Sequence, residues 1–558
     1  MLTHARANAR RFFLAAAGFD QRRGGSPERV VRALKRRWWF PARARGRRAL
    51  GSVSIAVLRV VLGVALGSIY SAARAADVTI NVNTLAVSAI PRGFSGFNAP
   101  QPRNAVEYFD PNFVNAAASL RPGWVRFPGG TADDAYDWTT GHLNQDWVNV
   151  FSVTNVYNLL ANALKLTQAK GGVFFSDFSA FVRTLGAAGI VCINGFTDTN
   201  PGTAKNMALA AQSNNLIVAA WELANEPYLF VPILFSSATA FADAMRVYFD
   251  DIISVNPAAA VAMPFAGQFT GFPPSTFTAY DAELSAYSPR YWNAVATHIY
   301  PITDSTMSPA NAEAFLNGIL AHGSTDYINS YLLPLVGKRT PVYITEFNST
   351  ADASVVFQTY LYNGIFLVEY VLRMSAHPNI KRIGVHALYM GQSYQSGMIQ
   401  AAGKDYEGYL MNVIYPNSVN TSGWGFDFFR TAPALTLEIA NQAINSSTSL
   451  YATSVSGGVK VPISGYDGQP IPAIYAQAYQ GATGKHYLVV TNKAGISQTA
   501  AVLLNGSPLV APLSLIYMSS ADPTVANTAD NPQAVQVQNM TATSPITLPP
   551  YSVMRVEW

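Results

Sequence analysis

The sequence predicts an α/β fold, a (β/α)8 TIM barrel followed by a C-terminal antiparallel β-sandwich domain. Three observations carry this prediction. Between about Phe94 and Met390, short apolar runs alternate with helix-periodic segments, and eight such runs are counted. Beyond about Thr431 the texture changes to short alternating runs separated by Gly, Asn, Ser and Pro. Polar residues gather at the C-terminal ends of the first eight runs, the rim where barrels of this kind carry their chemistry.

The elements follow in chain order. Residues 1–75 are Arg-rich, then apolar from about Val60 to Tyr70, and end in the small-residue stretch Ser71-Ala72-Ala73-Arg74-Ala75-Ala76. These are the parts of a secretory signal peptide, with cleavage expected after Ala75 and the mature chain expected in the periplasm or outside the cell. An uncleaved anchor at residues 51–70 is the alternative, although the apolar run is short for a membrane span. Residues 76–92 hold the strand Val78–Val82, expected to join the sandwich. Residues 93–431 form the catalytic barrel. Its strands are expected at 93–98, 124–127, 189–194, 219–226, 259–263, 294–298, 341–346 and 383–388. Asp177–Ala188 and Ala238–Ile253 read as helices between them, with apolar residues at three-to-four spacing. Tyr136–Gly172 reads as an insertion that lines or covers a cleft. Residues 432–558 form the sandwich, with strands near Ala473–Tyr479, His486–Val490, Ala501–Leu504 and Ser552–Val556.

Composition excludes several functions. The chain has 558 residues, 49% of them hydrophobic, which is ample for a catalytic core and a second domain. Its one cysteine, Cys192, excludes a disulfide framework, and seven histidines without an HxxxH pair argue against a histidine metal site. The net charge of +5 is misleading. Residues 1–75 carry 16 Lys and Arg against Asp20 and Glu28, so the remaining 21 basic and 30 acidic residues give the body −9. An acidic body removes the case for a nucleic-acid partner and disfavours a long polyanion.

Two segments carry chemistry. Trp221-Glu222-Leu223-Ala224-Asn225-Glu226-Pro227 ends a buried-looking strand in Asn-Glu, and Val342-Tyr343-Ile344-Thr345-Glu346 ends another in a carboxylate. A core strand has no packing reason to finish so. They end strands four and seven, so Glu226 and Glu346 are expected to converge across the barrel mouth. Two opposed carboxylates suit glycosidic bond cleavage, one protonating the leaving oxygen while the other attacks the anomeric carbon. Glu222, Glu226's neighbour on the strand face, is expected to pair with Arg126 inside the barrel.

These residues resemble the clan-A retaining glycoside hydrolases, and most of all glycoside hydrolase family 79, the heparanase and β-glucuronidase family. Trp221–Pro227 differs from that family's WELGNEP only by Ala224 in place of Gly. Arg126-Phe127-Pro128-Gly129-Gly130-Thr131 through Asp134 resembles its RFGG-T-x-x-D segment with Pro128 inserted, and Thr297-His298-Ile299-Tyr300 resembles its H-x-Y. The resemblance implies Glu226 as acid/base and Glu346 as nucleophile. It implies Asn225 and Asp134 as sugar-hydroxyl ligands, with the register of Asp133 against Asp134 left open by Pro128. It implies that Arg126 and Tyr300 support the nucleophile and that His298 lines the site. It implies no cofactor and no metal, a carbohydrate partner, and a β-linked terminal glucuronic acid as the cleaved sugar.

Further candidates remain open between packing and substrate. Tyr389, Gln392 and the backbone near Gly397 are candidates for receiving the uronate carboxylate, and Tyr389, Trp138, Trp147 and Trp424 for stacking on the sugar. His386 reads as an interior histidine. The rival functions are another clan-A activity (β-xylosidase, arabinofuranosidase or endo-glucanase), a non-catalytic carbohydrate-binding protein on the same scaffold, and an anchored envelope protein.

Overall fold

Eight parallel strands close into a barrel: Ser95–Asn98, Trp124–Phe127, Ala188–Ile193, Val218–Leu223, Val261–Pro264, Ala294–Tyr300, Val342–Phe347 and Ile380–Val385, here called strands one to eight. Strand eight pairs with strand one, and strands six and seven also pair, so no edge is left open. The computed structural model describes residues 76–558 except 101, 103–105, 155, 171, 270–274, 303–308, 353–354, 391–394, 403–425 and 466. The expected leader, Gln392 and Trp424 lie outside the described residues. Among the described residues no helix is long and apolar enough to cross a membrane.

The barrel interior is layered, and the layers explain its sequence. Trp124 is fully buried among Ile190, Ala220, Ala262, Ala294, Ala296 and Tyr343. Its indole fills the space that side chains on strands one and eight would otherwise take. A Cβ on Gly96 would fall 2.3 Å from the ring, and one on Gly384 only 2.0 Å from it. Two residues further along strand two, on the same inward face, Arg126 opens the next, polar layer. One strand thus supplies both the apolar plug and the cation above it.

Ten strands form the second sheet, in the order Ser507–Pro508, Gln498–Leu504, Val78–Ala89, Ser447–Gly457, Ile474–Gly481, His486–Asn492, Ser552–Glu557, Leu513–Ser519 and Gln538–Ala542, with Ile546–Leu548 added to Gln498–Leu504. It curls around its own core, where Val78, Ile80 and Val82 meet Leu488, Val490, Val502, Leu515 and Val556. The N-terminal strand runs on to Ala89 and lies antiparallel to Ser447–Gly457 and parallel to Gln498–Leu504. After the barrel, the sheet resumes at Ser447. Residue 432, where the sequence suggested the sandwich would start, opens the helix Ala432–Ser446 instead. That helix is capped by Thr431 Oγ1 and buried along most of its length, so its apolar periodicity reads as core of either domain. The helix expected at Asp177–Ala188 runs from Phe175 to Thr184, and Ala188 already belongs to strand three.

The helix Leu361–Ser375 lies between barrel and sheet and is buried on nearly every side. Its first N–H groups donate to the Val525 and Pro523 carbonyls of the sheet domain. Midway, Glu369 accepts from Arg373 on its own helix, from Thr491 Oγ1 and from buried Lys493 on the sheet.

Candidate active site

Arg126 is the hub. It is fully buried, and its guanidinium spends donors on Glu222, Glu346, Asn98, Asn225 and, at 3.8 Å, Cys192 Sγ. Nε donates to Glu222 Oε2 at 2.6 Å. Nη1 donates to Glu346 Oε1 at 2.6 Å and Asn98 Oδ1 at 2.9 Å. Nη2 donates to Asn225 Oδ1 at 3.0 Å. The planar fork thereby fixes residues from strands one, four and seven in one plane. The Glu222 pairing expected from sequence is present, and Thr345 Oγ1 donates to its other oxygen at 3.0 Å.

The two glutamates leave their strands differently. Glu346 lies inside strand seven, in register beside His298 on strand six. Glu226 stands beyond the end of strand four, in a turn where Ala224 has φ 72° and Glu226 has φ 47°. Left-handed backbone is strained for both residues, and such strain concentrates at functional turns. Pro227 then opens the helix Pro227–Leu234. The turn swings the Glu226 carboxyl across the mouth, where one ligand atom each of Glu226, His298 and Glu346 lies within 4.8 Å of the others.

The two glutamates have different hydrogen-bond partners. Glu346 Oε2 accepts from Tyr300 OH at 2.6 Å, with His298 Nδ1 3.6 Å away. Burial alone raises the Glu346 pKa, but positive charge at His298, His386 and Arg126 and the Tyr300 hydrogen bond carry it well below the usual carboxylate range. Glu226 Oε1 instead meets Tyr228 OH at 2.9 Å and His298 Nδ1 at 2.8 Å. Burial disfavours the His298 imidazolium, yet Glu346, Glu222 and Glu226 outweigh it and raise its pKa to about 10.

Asp134 is fully buried, and neither carboxylate oxygen has a hydrogen-bond partner among the described residues. Burial first, then the charges of Asp133, Glu226 and Glu346, push its pKa well up. Asp133 has a different environment beside Cys192, Arg126 and Glu222, and burial raises it to about 7. It faces a small pocket lined also by Trp138, Asn194 and Asp198. Of the two aspartates, Asp134 is the one whose charge reaches both glutamates.

The structure brings Glu226, Glu346, Asn225, Arg126, His298, Tyr300 and Asp134 together. It does not bring Tyr389. That ring is 1% exposed and stands edge-on to Phe113 and Phe428, 6.1 and 6.2 Å away. Strand eight ends at Val385, and the Leu388 N–H bonds back to the Asn98 carbonyl, so the residues beyond are drawn into packing. Trp138 is likewise occupied, donating to Thr203 Oγ1 at 3.0 Å. Sequence reasoning passed over Asn98, Tyr228 and Thr345. Asn98 had the same signal as the others, a polar residue ending a barrel strand. Tyr228 had none, because the turn that aims it is tertiary.

No protein-family model and no curated relative matches this chain. Solved structures do resemble it. The α-L-arabinofuranosidase of Thermotoga maritima is 16% identical, aligns over 86% of this chain and 99% of its own, and gives a TM-score of 0.60. The family 51 arabinofuranosidase of Xanthomonas axonopodis pv. citri is 14% identical over 87% of this chain and 100% of its own, also at 0.60. A 4-O-α-L-rhamnosyl-β-D-glucuronidase of Fusarium oxysporum is 15% identical over 86% of this chain and 100% of its own, at 0.53. At these identities the likeness is one of fold, a (β/α)8 barrel carrying a C-terminal antiparallel sheet domain.

Proposed function

We propose that this chain is a retaining glycoside hydrolase with Glu346 as nucleophile and Glu226 as acid/base. The carrying observation is the pair itself, two carboxylates within 4.8 Å across a barrel mouth with Glu346 held by Arg126 and Tyr300. That spacing suits double displacement, since an inverting pair needs about 6.5–9.5 Å to admit a water. Glu346 attacks the anomeric carbon as Glu226 gives its proton to the leaving oxygen. Glu226 then takes a proton from water, which displaces Glu346 and frees the sugar. Asn225, whose Oδ1 is spent on Arg126, offers its amide N–H groups to a sugar hydroxyl. No step calls for a metal or cofactor.

For the sugar we favour a neutral glycoside of the arabinofuranoside kind. Arg126 spends its donors on Glu222, Glu346, Asn98, Asn225 and Cys192, and so has none to offer a uronate carboxylate. The fold neighbours named arabinofuranosidases agree with this choice. The second reading is a terminal glucuronic acid, favoured by the segments Arg126–Asp134 and Thr297–Tyr300 and by the Fusarium glucuronidase likeness.

The test is release of nitrophenol from a panel of aryl glycosides. Cleavage of the α-L-arabinofuranoside with retained anomeric configuration in the first product supports the proposal, and selective cleavage of the β-glucuronide supports the second reading. Silence on aryl glycosides and on polysaccharides alike defeats the hydrolase assignment in favour of a carbohydrate-binding protein. We also propose export directed by residues 1–75, which N-terminal sequencing of the secreted protein tests; a start at Met1 refutes cleavage.

A further inference from the structure

We infer that the floor of the barrel, the end opposite Glu226 and Glu346, is a docking surface for an anionic lipid bilayer. The inference stands apart from the hydrolase reading and goes beyond it.

Parallel strands send their C-terminal ends to the mouth and the connections that lead into them to the floor. Charge is sorted around that floor. Arg290 precedes strand six, Lys338 and Arg339 precede strand seven, and Lys381 and Arg382 open strand eight. Arg92 precedes strand one and Arg121 precedes strand two. These strands are consecutive neighbours in the closed barrel, so the cations form one continuous sector. No Asp or Glu occurs in any of the connections leading into the eight strands. In a body of net charge −9, such segregation departs from the usual mixture of signs on a surface.

The cations are also uncompensated. Among the described residues, the ion pairs of Lys and Arg are made by other side chains. Arg290 donates to the Val336 and Ser285 carbonyls at 2.7 and 3.1 Å. Lys381 donates to the Pro378 carbonyl at 2.9 Å, and Arg382 to the Lys381 carbonyl at 2.8 Å. Carbonyls fix these side chains without cancelling their charge. Arg382 Nε is buried with no partner among the described residues. Carboxylates at the margin are engaged elsewhere, Asp243 by Tyr287, Asp250 by Arg246 and Glu438 by Arg430. Arg92, Arg121, Arg290, Lys338 and Arg339 all stand exposed.

The rest of the floor selects the occupant. The connections into strands three, four and five hold no charge of either sign, and they expose Pro257, Ala258 and, at 73%, Ile217. Tyr287 and Tyr291 are half-buried on either side of Arg290. Cations beside bare apolar and tyrosyl surface match a bilayer interface, where lipid phosphates and acyl chains lie within reach of one face. A soluble polyanion gains nothing from Ile217. Docking by the floor also leaves the mouth turned away from the membrane. Each Lys or Arg near such a surface strengthens binding about fivefold, and salt screens the effect.

Residues 1–75 are themselves basic and apolar, so the readout is placed on the floor. The full chain is mixed with vesicles of phosphatidylcholine holding about one-third phosphatidylglycerol, and acetylation of each lysine is followed by mass spectrometry. Lys338 should be protected about fivefold or more. Lys165 on the helix Tyr157–Lys170 and Lys460 on the sheet, both exposed, should react at their usual rates. Protection of Lys338 should be absent with phosphatidylcholine alone and lost at about 0.5 M salt. Arg92→Glu/Arg339→Glu, which keeps Lys338 as reporter, should abolish it with the melting transition unchanged. Unaltered labelling of Lys338, or undiminished protection in the double variant, overturns the inference. Equal protection of all three lysines shows adsorption through residues 1–75 and overturns it too. Protection by dextran sulfate but not by the vesicles replaces the bilayer with a soluble polyanion.

Discussion

Two buried clusters in this chain are built from the same parts, a glutamate held low in pKa by arginine and a second cation. Around Glu369, Arg373 takes Oε1 while Thr491 and Lys493 take Oε2, and the carboxylate is wholly buried. Around Glu346, Arg126 and Tyr300 take one lone pair on each oxygen, and His298 and His386 stand 3.6 and 3.8 Å off, too far to bind. The first cluster is saturated and joins the barrel helix to the sheet. The second is left incomplete toward the barrel mouth. Charge and burial alone do not distinguish a lock from a reaction centre. The distinction lies in whether the carboxylate's remaining valence is filled by protein or left for something else.

Exchanging the two glutamates' fates is the strongest way to break this comparison. Glu346→Gln should cost about 10⁴-fold or more in kcat while the melting transition stays near that of the native protein. Glu369→Ala should do the reverse. Lys493 is then buried without its counter-ion, and unfolding in denaturant should show about 3–5 kcal/mol lost with kcat per folded molecule unchanged. Because the folded pKa of Glu369 is depressed, its contribution is fully present above the ordinary carboxylate value of 4.5 and is lost as pH falls through the depressed one. Acid should therefore erase the difference between the native protein and this variant. An activity loss in Glu369→Ala without a stability loss would sink the division of roles.

Subtler changes sharpen it. Tyr300→Phe removes a hydrogen bond to the Glu346 carboxylate and, if Glu346 is the nucleophile we propose, should lower kcat/KM about ten- to a hundredfold. It should also move the acidic limb of the pH–rate profile upward, because the bond favours ionised Glu346. A profile that stays in place separates Tyr300 from the ionisation of Glu346. The smallest effect belongs to the strand-four turn. Ala224 has φ 72°, where an alanine is strained and a glycine is not, so Ala224→Gly should stabilise by about 0.5–1 kcal/mol with little effect on rate. A destabilised variant shows that the Ala224 methyl contributes more through packing than its backbone costs.

Much of the barrel is legible in the chain because strand period and polar rim leave local marks. Strand two shows this compactly, with Trp124 and Arg126 inward and Val125 and Phe127 outward in four residues. Glu222 and Arg126 also read correctly as partners, since two opposite charges facing a barrel interior have few alternatives. Tyr389 did not read correctly. It ends the same stretch as His386, and nothing in the local sequence tells a rim aromatic from one folded back on Phe113 and Phe428. The helix Ala432–Ser446 misled for a related reason. A helix buried on most sides belongs to two domains at once, and composition has no way to divide it.

The sequence by itself determined the architecture and the identity of the paired glutamates, because hydrophobic periodicity and strand-terminal polar residues are short-range signals. Only the tertiary structure decided which carboxylate is held ionised, which aspartate adjoins the pair, and that His386 stands 3.8 Å from Glu346. Those facts depend on distances between residues from opposite sides of a closed barrel. Such distances are set by how Trp124 fills the interior and how Arg126 reaches across it, and no stretch of neighbouring residues contains them.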